Sequence, residues 1–89
     1  MTIAEMMLDG NAIGGLLREI FVAEMTDARG TCAYCGAVNP VGRLQVYVHA
    51  PGTVVRCPAC EQVVMRIVRG GGRYWLDFSG TRTLELRET

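Results

Sequence analysis

The sequence predicts an α+β protein: an N-terminal helix followed by an antiparallel β-sheet built around a metal, in a single domain. Three observations predict it. Apolar residues recur at helical spacing over residues 12–25, the period turns to alternation beyond residue 31, and two C-x-x-C pairs flank a hairpin's length of chain.

The helix is read from Ile13, Leu16, Leu17, Ile20, Phe21 and Met25, which share one face at a period of 3.6. Asp9 and Asn11 are the candidate N-caps, and Gly30 lies past the expected end. Gly14 and Gly15 interrupt the pattern. They mark either close approach of another backbone or a weak first turn, since each disfavours helix by about 1 kcal/mol relative to Ala.

Strands follow. Leu44, Val46 and Val48 alternate with Gln45, Tyr47 and His49, as a half-buried strand does. Pro51-Gly52 turns the chain into a returning strand that begins at Thr53 to Arg56. Val63, Met65 and Ile67 alternate with Val64, Arg66 and Val68. Gly70-Gly71-Gly72 closes a hairpin into a strand with Tyr74, Leu76 and Phe78 on one face and Trp75 on the other. Ser79-Gly80 is a turn, and Leu84 and Leu86 mark a last short strand. Residues 1–30 are thus a helical segment packed on a sheet formed by residues 31–89.

The chemistry sits in the cysteines. Cys32-Ala33-Tyr34-Cys35 and Cys57-Pro58-Ala59-Cys60 are separated by twenty-one residues. A tight turn sets thiolates at i and i+3 on one side, with backbone N–H groups aimed at the sulfurs. Two such knuckles joined by a hairpin supply the tetrahedral four-sulfur shell that zinc prefers, the pattern of a zinc ribbon. Gly36 after the first pair suits a turn that needs positive φ, whereas Glu61 holds the matching place after the second. Four protein sulfurs leave no open position for water or substrate, so one structural zinc per chain is expected, not a catalytic one. The rival is redox or iron–sulfur chemistry, because Cys57-Pro58-Ala59-Cys60 has the C-P-x-C form of thiol oxidoreductases. Those enzymes place the first Cys at a helix N-terminus, while here the β-branched run Val63 to Val68 follows. His49 is the only histidine and reads as a surface or packing residue beside an already complete ligand set.

Composition narrows the functional classes. A chain of 89 residues is near the size at which an apolar core alone is marginal, so a metal staple is physically reasonable. The 49% hydrophobic content excludes a disordered tail. Met1 to Gly10 contains Glu5 and Asp9 and no basic residue, unlike a secretory signal, which predicts a cytoplasmic chain with reduced thiols. The formal net charge is zero but unevenly placed. Residues 31–76 carry Arg43, Arg56, Arg66, Arg69 and Arg73 against Glu61, while residues 1–30 are acidic.

With these motifs placed, the chain resembles a family of small bacterial zinc-ribbon proteins of unknown function, over roughly residues 8 to 86. The resemblance rests on Leu8-Asp9-Gly10-Asn11-Ala12, Cys32-Ala33-Tyr34-Cys35-Gly36, Val46-Tyr47-Val48 with Ala50-Pro51-Gly52, Arg56-Cys57-Pro58-Ala59-Cys60 and Trp75-Leu76-Asp77. It implies that Cys32, Cys35, Cys57 and Cys60 are the metal ligands and assigns no other role.

Four function classes come into question. A closed metal site and an apolar excess favour a non-enzymatic module that binds protein, a second copy of the chain included. A nucleic-acid-binding ribbon with a transcription-related role is the alternative, supported by the basic middle segment with Tyr47, Tyr74 and Trp75. Against an enzyme stand a single His, no recognisable nucleophile–base pairing and no phosphate loop. A metallochaperone role is disfavoured by Met1-Thr2 in place of a Met-His start.

Overall fold

The computed structural model describes residues 7–21, 24–49 and 52–87. Its strands are β1 (Met7–Asp9), β2 (Arg29–Cys32), β3 (Val38–Pro40), β4 (Gln45–His49), β5 (Gly52–Arg56), β6 (Val63–Gly70), β7 (Arg73–Asp77) and β8 (Thr81–Glu85). They form two antiparallel sheets, one in the order β1-β4-β5-β6-β7 and one in the order β3-β2-β8. A 3-10 turn at Gly10–Ile13 leads into the one α-helix of the described residues, α1 (Gly14–Ile20), and a second 3-10 turn spans Val41–Arg43. None of these helices is long and apolar enough to cross a membrane.

The expected helix over 12–25 is therefore shorter than its apolar pattern. Asp9 caps the entry, its carboxylate accepting the Asn11 N–H at 3.1 Å. The helix stops at Ile20 because Phe21 turns extended, with φ −116° and ψ 144°. Its ring then packs edge-on against Phe78, centroids 6.5 Å apart. Met25 is buried, as the pattern implied, but from the irregular segment after the helix. Arg18 fastens that segment, its guanidinium 2.8 Å from the Glu24 carboxylate, which also accepts the Thr26 hydroxyl. Gly14 and Gly15 need no close neighbour. A Cβ on Gly14 would make only ordinary contact with Thr26, and one on Gly15 would meet nothing. Close approach falls instead at Gly10, which lies directly against the Val41 carbonyl.

One face of the large sheet is the core. Val46, Val55, Met65 and Ile67 are adjacent across β4, β5 and β6 or along β6, and all are buried with Ile13, Leu17 and Leu44. Leu16, Ile20 and Phe21 pack around the margin, so the helix covers this face. Glu19 fastens the helix to the sheet, accepting from the Tyr74 hydroxyl at 2.9 Å and from Arg69 at 3.1 Å. The strict alternation expected along β6 breaks at its start. Val55 pairs with Met65 but Arg56 pairs with Val63, so Val64 is an extra, bulged residue. The bulge lets Val64 and Met65 both enter the core as neighbours.

The β6–β7 hairpin closes through Gly71 and Gly72, with φ of 57° and 73°, between the paired residues Gly70 and Arg73. Two positive-φ residues make the tight turn that matches strand twist. Pro51 lies outside the described residues, so the turn expected there is represented only by Gly52, which opens β5. Three short strands escape the sequence pattern: β1, which pairs Leu8 with Val46, β2, which pairs Gly30 with Leu84, and β3, which pairs Val38 with Thr31.

Candidate metal centre

The two C-x-x-C pairs lie at the ends of strands that belong to different sheets. Cys32 is the last residue of β2, and Cys57 follows the last residue of β5. Each pair opens a turn, and the two turns match bond for bond. Cys32 N–H donates to the Ala37 carbonyl at 2.9 Å, and Cys57 N–H to the Gln62 carbonyl at 2.9 Å. The Gly36 N–H returns to the Cys32 carbonyl at 3.0 Å, and the Glu61 N–H to the Cys57 carbonyl at 2.8 Å. Tyr34 N–H points at the Cys32 sulfur and Ala59 N–H at the Cys57 sulfur, both at 3.4 Å. These are the amide-to-sulfur contacts that the spacing led us to expect.

The turns face each other and bring all four Sγ atoms within 4.8 Å of one another. Two approaches run between the turns, Cys32 to Cys60 and Cys35 to Cys57, both 3.7 Å. A disulfide needs about 2.05 Å between sulfurs, so none is formed. A regular tetrahedron with metal–sulfur bonds of about 2.3 Å has edges of about 3.8 Å, so the donor set fits such an ion. Cys32 and Cys57 are buried, Cys60 is half-buried and Cys35 is exposed.

Electrostatics point the same way. Burial opposes ionisation of Cys32, but the amides of Cys35 and Tyr34 and the thiols of Cys60 and Cys35 outweigh it and bring its pKa down to about 7. At Cys60 the Gln62 amide favours the thiolate, yet burial and the thiols of Cys32, Cys35 and Cys57 push the pKa up to about 12. The first thiolate forms readily and the last does not. A cation at the centre removes that conflict by neutralising the charge that the sulfurs share.

Arg56 has a role that composition did not disclose. Its guanidinium donates to the Glu61 carbonyl at 2.8 Å and lies 5.9 Å from the centre of the Tyr47 ring, bracing the second turn. Arg66, also of the basic middle segment, instead lies 3.8 Å from the Asp77 carboxylate. The His49 side chain falls outside what the structure describes.

Fold and site together define a small antiparallel β-protein whose four cysteines form a cluster fit to hold a metal ion. The chain belongs to the family of unknown function DUF6510, whose profile matches residues 3–89. No curated protein and no solved structure matches it.

Proposed function

We propose that the chain is a non-enzymatic zinc-ribbon protein: one structural zinc held by Cys32, Cys35, Cys57 and Cys60, serving a module that binds protein in a reducing, cytoplasmic setting. The observation that carries the reading is the four-sulfur cluster, whose 3.7 Å edges suit zinc. Zinc would screen the thiolates and tie β2 to β5. With four protein sulfurs as ligands, no coordination position remains for a reacting water, so the metal's contribution is to folding.

The outer face of the large sheet supports the interaction reading. Register places Met7, Tyr47, Val54, Val68 and Trp75 on that face, opposite the core. Met7 and Trp75 are exposed, at 43% and 55%, and the others are half-buried. Nucleic acid is the weaker partner class. Of the five arginines in residues 31–76, Arg56 is bound to a carbonyl, Arg66 lies beside Asp77 and Arg69 is paired with Glu19. A phosphate-binding face needs several uncommitted cations.

The test is affinity capture by the zinc-loaded protein, identifying bound protein and nucleic acid together, against a Tyr47→Ser, Val54→Ser variant. The reading expects a specific protein that the variant loses while keeping its zinc and melting temperature. Capture of nucleic acid alone, weakened by Arg43→Ala with Arg73→Ala, would overturn it.

A further inference from the structure

The outer edge of the large sheet carries a second, more specific message. β7 is an edge strand, and among the described residues no backbone hydrogen bond reaches its free side. Its sequence, Arg73-Tyr74-Trp75-Leu76-Asp77, is apolar in the middle and oppositely charged at its ends. Natural edges usually carry inward charges, prolines or bulges that block strand addition. Here Trp75 is 55% exposed and Leu76 36%.

The hairpin fixes which groups face outward. Gly70 and Arg73 close a two-residue turn, so in this antiparallel ladder they exchange hydrogen bonds, and alternate pairs do the same. Arg73, Trp75 and Asp77 therefore direct their backbone groups at β6. Tyr74 and Leu76 direct theirs to the open side.

From this we infer that β7 pairs antiparallel with β7 of a second copy, about a two-fold axis at Trp75, to make one continuous sheet. In that register Tyr74 exchanges backbone hydrogen bonds with the partner's Leu76, and Leu76 with the partner's Tyr74. Trp75 faces the partner's Trp75, and Arg73 faces the partner's Asp77 at both ends. The Trp–Trp and Arg–Asp pairs fall at the non-hydrogen-bonded positions, where side chains approach most closely. Any extended peptide would satisfy the same backbone groups, and this strand's own sequence also matches charge at both ends. A C2 contact must be self-complementary, and this one is. The inference rests on the reading of the chain as an interaction module and names one partner for it.

The test uses sedimentation of zinc-loaded protein and a charge exchange. Wild type is expected to dimerise with concentration. Arg73→Asp alone and Asp77→Arg alone set like charges opposite each other at both ends, weakening the dimer by about tenfold or more. An equimolar mixture of the two variants restores opposite charges at both ends, and a heterodimer is expected. Because Trp75 is the only tryptophan, a coupled indole signal in circular dichroism requires two chains, and it should vanish on dilution. Melting curves verify that each variant is folded. Should Asp77→Arg fail to fold, through loss of the Ser79 N–H bond to Asp77, Arg73→Asp and the indole signal carry the test. A monomeric wild type at several hundred micromolar, or single variants that dimerise as wild type does, would overturn the inference. Neither result touches the outer-face capture experiment, which judges the module separately.

Discussion

Gly36 and Glu61 occupy the same place in two matching cysteine turns, with φ of 77° and 65°. Each follows the second cysteine of its pair, and each donates its N–H to the carbonyl of the first. Glu61 is the one non-glycine residue in the left-handed region among the described residues. That conformation disfavours a side chain by roughly 1–2 kcal/mol, partly offset by the greater freedom of unfolded glycine. Glu61→Gly is therefore expected to stabilise the zinc-loaded protein by up to about 1 kcal/mol, and Gly36→Ala to destabilise it by about 1 kcal/mol. Thermal melts of the two variants check the pair, and equal shifts in one direction would disprove the equivalence.

Leu17 is the deepest anchor of the helix, 2% exposed. Leu17→Ala should lower stability by about 2–5 kcal/mol, and Leu16→Ala, at the margin, by clearly less. Self-association should be unaffected by either, since the expected contact is on β7. An unmoved melting temperature with altered sedimentation would instead place the helix at an interface.

Acid should release the metal before it disturbs the carboxylates. In the metal-free state the thiols bind protons, with the Cys32 pKa near 7 and that of Cys60 near 12. Lowering pH therefore favours the free thiols, and below pH 7 zinc affinity falls by up to about four powers of ten per pH unit. Glu24 behaves separately. The Thr26 hydroxyl and then Arg18 lower its pKa from 4.5 to about 2, so its contribution is present above its unfolded pKa and is lost as pH falls towards 2. Zinc release and loss of tertiary signal between pH 7 and 5 thus belong to the cysteines. A chromophoric zinc chelator followed across pH checks this, and retention of zinc to pH 4 would contradict it.

The clustering of the four cysteines was legible because its information is local. Each C-x-x-C sets its own turn, and the hairpin between the pairs needs only approximate length. Strands with long alternation, such as Val46 and Val48 or Tyr74 and Leu76, were equally readable. The bulge at Val64 was not, because an extra residue in a β-branched run leaves the composition of the run unchanged. Helix length was overestimated because Met25 is buried and Phe21 partly buried, as the pattern demanded, but Phe21 is extended and Met25 irregular. Periodicity reports burial, and Phe21 makes its contact with Phe78 from extended backbone. β1 and β3 carry three residues each, too few for a period to show. The αL strain at Glu61 was anticipated from its place after the second cysteine pair.

The central claim is that one zinc, held by four sulfurs, holds this fold together. Elemental analysis of purified wild type and Cys57→Ser, with circular dichroism on the same samples, tests it most directly. A structural zinc contributes on the order of 10 kcal/mol, comparable to the whole stability of a small domain. The expected result is about one zinc per folded wild-type chain, with Cys57→Ser metal-free and unfolded. A wild-type protein that is folded with no metal and four free thiols would contradict the account.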